Sequence, residues 1–321
     1  MTSTTWMVTG GAGYIGAHVA RRLLESGREV VVLDDLSTGF RSFVPDGATF
    51  VEGALADLDA GSFDGIDGVV HLAALKYAGL SVDEPLHFYR NNVDGMRALL
   101  DAMVAAGVGR LVYSSSCSVY GTPADEHVVE TTPIGPESPY GETKLIGEWL
   151  AAAVGRVHPL RHTSLRYFNV VGSGYDDLYD ASPHNLFPKV FRALDAGEAP
   201  MVFGTDYDTP DGSCVRDYIH VGDLADAHVL AAARLEEGVA LRPAYNIGTG
   251  TGASVLQVLD SVRRVLGIDV EPTIADRRPG DPARIIADGT LARDDLGWEA
   301  RHDLDDMVRD AWQAWRATHP T

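Results

Sequence analysis

Three residues near the middle of the chain have the types and spacing of a proton-transfer centre. Tyr140 and Lys144 lie four positions apart in the segment SPYGETKLIGE, which places both side chains on one face of a helix. Ser116 ends the run RLVYSSS, 24 residues before Tyr140. A tyrosine with its ordinary pKa of about 10 is a poor base at neutral pH, and a neighbouring ammonium brings that pKa closer to neutrality. With the Ser116 hydroxyl holding a substrate alcohol, these residues could take its proton while hydride leaves the adjacent carbon.

The first 35 residues predict a βαβ unit that would supply the hydride acceptor. An apolar strand at residues 6–8 runs into Gly10, Gly13 and Gly16, and a helix and a second buried strand follow. Glycines at this turn let the backbone approach a pyrophosphate, which the helix N-terminus attracts. Asp34 ends the second strand, 18 residues beyond Gly16, where its carboxylate can accept hydrogen bonds from ribose hydroxyls. The carboxylate would repel a 2′-phosphate, so the pattern favours NAD over NADP.

Strands and helices continue to alternate through the first half of the chain. Strands are predicted at residues 65–75, 109–121 and 162–170, with a long helix at 85–108 and another led by Tyr140. This alternation predicts an α/β fold with a doubly wound parallel (Rossmann) sheet, whose ligands lie beyond the carboxyl ends of the strands. We expect a cofactor-binding domain at residues 1–170 and a smaller, loop-rich α/β substrate domain at 171–321. The segment 217–233 is expected to pack back on the first domain.

The composition limits the possible partners. A formal net charge of −20 makes nucleic acid and anionic membranes poor partners. No stretch approaches the ~20 apolar residues of a membrane helix, and the start of the chain lacks the pattern of a signal peptide. The two cysteines, Cys117 and Cys214, favour a reducing cytoplasm over a disulfide scaffold. Only three of the 26 basic residues are lysines, so a lysine spaced like Lys144 is more informative than usual.

Long motifs spread over the whole chain resemble the extended short-chain dehydrogenases/reductases, and within them the UDP-glucose 4-epimerase family. The matching segments are VTGGAGYIGAH, HLAALKYAG, YRNNVDG, SSSCSVYG, SPYGETKL, LRYFNVVG, DGSCVRDYIHVGDLADAHV, YNIGTGTGASVL and RRPGDPAR. The resemblance implies reversible C4 epimerisation of UDP-glucose and UDP-galactose through a 4-keto intermediate, with transient hydride transfer to bound NAD. It also implies a homodimer that pairs through the helices at 85–107 and 140–155, with a monomer as the alternative that the sequence leaves open, and no metal.

The resemblance also implies a role for individual residues. Tyr140 would be the acid/base, Lys144 would bind the nicotinamide ribose and lower the tyrosine pKa, and Ser116 would assist proton transfer. Binding of NAD is implied for Gly10, Gly13, Tyr14, Ile15, Gly16, Asp34, Leu72, Ala73, Lys76, Asn92, Tyr140, Lys144 and Tyr167. Binding of the UDP-sugar is implied for Lys76, Ser116, Tyr140, Phe168, Asn169, Asn185, Phe203, Arg216, Arg278, Asp281 and Ile285.

The sequence departs from the family pattern at a few positions, and some of these bear on alternative functions. Ala54 stands where the family usually has an aspartate that touches adenine. Ile285 stands at the family's gate beside the sugar C2 group, and its intermediate size leaves open a 4-epimerase of UDP-N-acetylhexosamine, UDP-uronic acid or a thymidine-linked hexose. A nucleotide-sugar 4,6-dehydratase would need acidic residues where Cys117 and Ser118 follow Ser116. A non-catalytic NAD-sensing or scaffold protein would be expected to lack the tyrosine or the lysine.

Overall fold

The structure, a computed structural model, describes residues 3–269, 271–277 and 282–319. The strands are, in chain order, β1 (Thr5–Thr9), β2 (Glu29–Asp34), β3 (Thr49–Glu52), β4 (Gly68–His71), β5 (Arg110–Ser116), β6 (His127–Val128), β7 (Arg161–Tyr167), β8 (Asn169–Val171), β9 (Met201–Phe203), β10 (Val215–Arg216), β11 (Tyr218–His220), β12 (Ala244–Ile247), β13 (Ala253–Ser254), β14 (Thr273–Ala275) and β15 (Arg284–Ala287). The α-helices are α1 (Tyr14–Glu25), α2 (Ala78–Asp83), α3 (Pro85–Phe88), α4 (Gly95–Ala106), α5 (Pro139–Gly155), α6 (Leu186–Ala196), α7 (Val221–Glu236), α8 (Val255–Leu266), α9 (Thr290–Leu296) and α10 (Leu304–Thr318).

A seven-stranded parallel sheet forms the centre of the molecule, in the order β12-β7-β5-β4-β1-β2-β3. Both faces of the sheet are covered, which is why its strands are apolar on both sides. From β1, Trp6 and Val8 join the core under α1 and α7, while Met7 joins the core under α4 and α5. The predicted doubly wound α/β fold is confirmed.

Two segments from beyond residue 170 also belong to this sheet layer. Helix α7 packs against α1, β5 and β7, and β12 forms the edge of the sheet beside β7. The boundary at residue 170 stays a prediction. The structure adds that the chain returns to the first sheet twice beyond residue 220, first with α7 and then with β12.

The remaining elements form a smaller layered region of short sheets and helices. One mixed sheet has the order β13-β10-β15-β6, and two strand pairs, β11-β8 and β14-β9, lie beside it. Helices α6, α8 and α10 pack over these strands around a second core that contains Phe191, Val258 and Trp315. Among the described helices, none is long and apolar enough to cross a membrane.

Two predicted elements differ in detail from the structure. The single helix expected at 85–108 is interrupted by a π-helical segment, Tyr89–Asp94, between α3 and α4. The single strand expected at 162–170 is split at Phe168 into β7 and β8, because β8 leaves the central sheet and pairs with β11. Both differences arise from pairing with distant segments, which hydrophobic periodicity does not report.

Candidate active site

A cavity of about 750 Å³ opens at the carboxyl ends of the central strands. Its walls include Gly10 beyond β1, Asp34 at the end of β2, Leu72 beyond β4 and Tyr167 at the end of β7. Tyr140 and Lys144 of α5 also line it. This is the position that a doubly wound sheet provides for a ligand.

The turn between β1 and α1 can exist only with glycine at two of its positions. Gly10 has a φ of +71°, and a Cβ there would lie 2.7 Å from the backbone nitrogen of Ala73. A Cβ on Gly16 would lie 2.1 Å from the carbonyl oxygen of Gly10. The turn is therefore packed as closely as backbone allows, and α1 begins directly after it, with its first three residues on the cavity wall. Such a turn is a suitable cradle for a pyrophosphate.

Asp34 is held in place by the same turn. Its Oδ2 accepts a hydrogen bond from the Ala12 amide at 3.0 Å, and its Oδ1 accepts one from the Leu36 amide at 2.9 Å. Burial raises the pKa of the Asp34 carboxyl, and these two hydrogen bonds oppose the increase. Each carboxylate oxygen keeps a further lone pair, so Asp34 can still accept hydrogen bonds from a ribose.

The helix that carries Tyr140 and Lys144 begins at a defined position. Ser138 caps α5 by accepting a hydrogen bond from the Gly141 amide at 3.2 Å, and Pro139 occupies the first helical position. The backbone N–H of Tyr140 donates to Ser81 Oγ at 3.1 Å, which ties the start of α5 to α2. The two side chains therefore leave a fixed helix end and enter the cavity.

The Tyr140 phenol and the Ser116 hydroxyl lie close enough for Ser116 to influence the pKa of the tyrosine. Burial raises the pKa of Tyr140 to about 12, and the Ser116 hydroxyl acts in the opposite direction. The Ser116 Oγ also lies 3.1 Å from Ser118 Oγ and accepts from the Ser118 amide at 3.2 Å. In the polypeptide alone, burial is therefore the largest influence on Tyr140, and its pKa is higher than the neighbouring ammonium led us to predict from the sequence.

Lys144 is a buried cation, with only 3% of the residue exposed. Its Nζ donates to the Ser114 carbonyl at 2.9 Å and lies 5.9 Å from the centroid of the Tyr140 ring and 5.3 Å from that of Tyr113. Burial lowers the pKa of Lys144 to about 8. The ammonium group is therefore held by a carbonyl and two aromatic faces, within reach of the phenol.

Most of the residues expected to bind the cofactor line the cavity. They are Gly10, Gly13, Tyr14, Ile15, Gly16, Asp34, Leu72, Ala73, Lys76, Tyr140, Lys144 and Tyr167. Ala54, the departure from the family pattern, is also on the wall. Asn92 is not: its Oδ1 accepts from the Leu75 amide at 2.8 Å, and its Nδ2 donates to the Leu75 carbonyl and to Thr143 Oγ1 at 3.0 and 2.9 Å. Asn92 therefore holds the loop after β4 against α5.

Apart from Lys76, Ser116 and Tyr140, the residues expected to bind the sugar nucleotide come from the chain beyond β7. Arg216 on β10 pairs in register with Ile285 on β15, and its Nη1 donates to the carbonyls of Val215 and Pro282 at 2.8 Å. Burial raises the pKa of the Cys117 thiol to about 12, and the charge of Arg216 opposes this increase. Arg216 is therefore close to the segment that follows Ser116.

The other predicted sugar contacts have different environments. Asn169 is exposed at the start of β8, and Asn185 donates from Nδ2 to Asp180 Oδ2 at 2.6 Å. Phe203 is half-buried at the end of β9. Phe168 and Ile285 are buried together in a cluster completed by Val119, Tyr120, Val128, Leu145 and Ala287. Arg278 and Asp281 lie outside the described residues.

A buried ion pair beside the site was not predicted from the sequence. Glu148 continues the four-residue spacing of Tyr140 and Lys144, and it forms a buried ion pair with Arg166, the residue before Tyr167. The spacing of Glu148 was a usable signal. Its partner, 18 residues further along on β7, carries none in the local pattern.

A group of possible metal ligands lies elsewhere in the described chain. His220, His302 and Asp310 offer ligand atoms within 4.8 Å of one another. The Gly222 amide donates to His220 Nδ1 at 3.0 Å, so the proton of the neutral imidazole is on Nε2. That nitrogen lies 3.4 Å from Asp310 and has no lone pair to offer a metal. His220 is therefore not available as a ligand.

Comparison with known proteins gives consistent results along the whole chain. The profile of the NAD dependent epimerase/dehydratase family matches residues 6–248. The chain is 46% identical to the UDP-glucose 4-epimerase of Streptomyces lividans over 327 aligned residues, which cover 99% of this chain and 98% of the relative.

Solved structures show the same relationship. The UDP-glucose 4-epimerase of Stenotrophomonas maltophila, solved with NAD and formylated UDP-arabinopyranose, is 40% identical, with a TM-score of 0.93 and 98% of both chains covered. The UDP-glucose 4-epimerase of Brucella ovis, solved with NAD, is also 40% identical, with a TM-score of 0.92 over 96% of this chain and 97% of that one.

Proposed function

The chain belongs to the NAD dependent epimerase/dehydratase family, and we propose that it interconverts UDP-glucose and UDP-galactose by inverting C4 of the hexose. The observation that carries this proposal is the arrangement of Tyr140, Ser116 and Lys144. A phenol close to a serine hydroxyl, with a buried ammonium 5.9 Å from the centroid of its ring, lines a cavity that ends in a pyrophosphate cradle. NAD bound in this cavity would place a hydride acceptor close to Tyr140, the proton acceptor.

The residues that line the cavity fit NAD as a resident cofactor. The turn at Gly10 and Gly16 leaves room for a pyrophosphate and for no side chain, and Asp34 offers its carboxylate to a ribose. Lys144 would hold the nicotinamide ribose. When bound, NAD supplies a site that accepts a hydride from the sugar and returns it, so no net redox change occurs.

The chain's own residues carry the proton chemistry. Tyr140 accepts the proton of the 4′-hydroxyl, which Ser116 orients through a hydrogen bond. The positive charge of Lys144 stabilises the resulting phenolate, because charge–charge attraction is strong in a site this poorly hydrated. Tyr140 later returns the proton to the 4′-oxygen after the 4-keto sugar has presented its other face. Inversion at C4 follows from this turn of the hexose between the two proton transfers.

Turning of the hexose requires that the nucleotide be held more firmly than the sugar. Arg216 supplies positive charge beside the site in a chain whose net charge is −20. Arg278 and Asp281 are proposed to hold the diphosphate and the nucleotide ribose, as the family resemblance implies. Asn169, Asn185 and Phe203 are proposed to contact the UDP-sugar. Guanidinium groups suit this task since they bind phosphate oxygens through two parallel hydrogen bonds.

The protein is further proposed to act as a homodimer in the cytoplasm, within galactose metabolism. Leu86 on α3 and Trp149 on α5 are 75% and 60% exposed, and these two helices contact each other, so their outer surface is unusually apolar. Neither Cys117 nor Cys214 forms a disulfide in the described part of the chain, which is consistent with a reducing compartment.

Product analysis tests the proposed reaction. Purified protein is incubated with UDP-galactose, first without added NAD and then with it, and the product sugars are separated. UDP-glucose is expected to form, and Tyr140→Phe is expected to abolish its formation while the fold is kept. Absence of UDP-glucose even with NAD supplied would contradict the proposed reaction. UDP-N-acetylgalactosamine run in parallel tests whether Ile285 excludes a larger C2 group.

A further inference from the structure

On the helix that carries Tyr140 and Lys144, a buried carboxylate follows on the same face. Glu148 follows Lys144 by four positions, so all three side chains lie on one face of α5. Glu148 is 9% exposed and its partner Arg166 on β7 is 5% exposed. Arg166 donates from Nε to Glu148 Oε1 at 2.9 Å and from Nη2 to Oε2 at 2.6 Å. The pair is bidentate and almost fully removed from water.

Further hydrogen bonds extend this pair to three other segments. Ser115 Oγ donates to Glu148 Oε1 at 2.5 Å. Arg166 Nη1 lies 3.0 Å from the Tyr120 hydroxyl, which in turn donates to Asn246 Oδ1 at 2.7 Å. The charged ends are thus surrounded by partners on β5, β12 and the turn after Ser116, as a buried polar network requires.

Four members of this network lie close in the chain to residues of the candidate site. Ser115 precedes Ser116, and Arg166 precedes Tyr167. Glu148 lies one helical turn beyond Lys144, and Tyr120 ends the short turn Cys117–Tyr120 that begins directly after Ser116. The network therefore joins the helix that carries the acid/base to the two strands whose ends face it.

Stability alone is a weak reason for such a pair. Removing two charges from water costs about as much as their attraction returns, and well-packed apolar residues in their place are often as stable or more stable. What a bidentate pair adds is a fixed distance and direction between two elements. We propose that Glu148 and Arg166 are positioning residues for the proposed epimerisation, holding α5 at the separation from β5 and β7 that brings Tyr140, Lys144 and Ser116 together.

This inference rests on the proposed function and predicts a specific kinetic effect. Misplacement of reacting groups by about 1 Å can lower a rate by about 100-fold. Arg166→Lys keeps the charge and loses the fork of parallel donors. Its kcat for UDP-galactose is therefore expected to fall about 10- to 100-fold, while KM and bound NAD per chain stay near the wild-type values.

The chain contains a matched control for this variant. Arg28 donates from Nε to Glu236 Oε1 at 2.9 Å and from Nη2 to Oε2 at 2.7 Å, which is the same bidentate geometry. This pair is also largely buried, but Arg28 precedes β2 and so lies at the end of the sheet opposite the cavity. Arg28→Lys is expected to reduce thermal stability without reducing kcat.

A second variant separates positioning from stability. Glu148→Leu combined with Arg166→Met replaces both charges by apolar side chains of similar length, so that no buried charge is left unpaired. We expect a melting temperature at or above that of the wild type together with the same loss of kcat as in Arg166→Lys. If Arg166→Lys does not fold, the double variant tests the positioning role by itself.

The outcomes distinguish this inference from the proposed function. A wild-type protein that forms no UDP-glucose contradicts the proposed function itself. An active wild type accompanied by a stable, fully active double variant overturns the positioning role alone. The same holds if kcat of Arg166→Lys falls only in proportion to lost folded protein or lost NAD, or if Arg28→Lys loses as much kcat as Arg166→Lys.

Discussion

Lys144 is expected to lower the stability of the coenzyme-free protein, and its replacement by methionine should raise that stability. Burial lowers the pKa of Lys144 from 10.5 to about 8. A difference of about 2.5 between the unfolded and folded pKa values corresponds to about 3 kcal/mol of destabilisation when the lysine is charged. Methionine keeps the length of the side chain and removes the charge. It also removes the hydrogen bond to the Ser114 carbonyl, which contributes about 1 kcal/mol, so the net gain expected for Lys144→Met at pH 7 is about 2 kcal/mol.

The sign of the effect gives this prediction a pH dependence. Between pH 8 and 10.5 the unfolded chain binds a proton at Lys144 that the folded chain has released, so the wild type gains stability as pH rises through this window. The advantage of Lys144→Met should therefore be complete below pH 8 and fall to zero before pH 10.5, where the lost hydrogen bond to Ser114 leaves the variant slightly less stable than the wild type.

Urea unfolding of coenzyme-free protein at a series of pH values measures this difference. Lys76→Met is the matched control, because Lys76 is exposed and its removal should change stability little at any pH. The reasoning about Lys144 is refuted if Lys144→Met is less stable than the wild type at pH 7, or if its advantage is the same at pH 7 and pH 10.5.

Four further predictions concern the site and its surroundings. Tyr140→Phe should lower kcat by at least about 100-fold, because the proton acceptor is lost, with little change in thermal stability; steady-state kinetics with UDP-galactose checks this. Gly16→Ala should reduce the NAD released per chain on denaturation, since its Cβ would lie 2.1 Å from the Gly10 carbonyl oxygen; unchanged NAD content would contradict the close packing. Ile285→Ala should cost about 2–5 kcal/mol through the cavity that it leaves, seen as a lower melting temperature. Trp149→Glu should shift the proposed dimer toward monomer, which light scattering measures. A wild type that is already monomeric would contradict the proposed dimer.

Local chemistry explains which parts of the site were predictable from the sequence. The glycine turn and Asp34 were, because a tight turn and a carboxylate at a strand end act through a few adjacent residues. The interruption of the helix at Tyr89–Asp94 was not, since Asn92 in that segment bonds to Leu75 and Thr143, which come from other elements. Ile285 was predicted at the sugar, yet its burial beside Phe168 depends on β15 pairing with β10, a contact that no local pattern encodes.

One face of α5 shows how partners from distant strands decide what each side chain does. Lys144 and Glu148 are charged, buried and separated by one turn. Glu148 meets a bidentate arginine from β7, so its charge is neutralised and serves to fix the helix. Lys144 meets a carbonyl and two aromatic rings, so its charge remains available to stabilise a phenolate and makes the folded chain less stable. The two charges on this helix face therefore differ in what they do: the paired one fixes the position of α5, and the uncompensated one, which the proposed chemistry needs, lowers the stability of the folded chain.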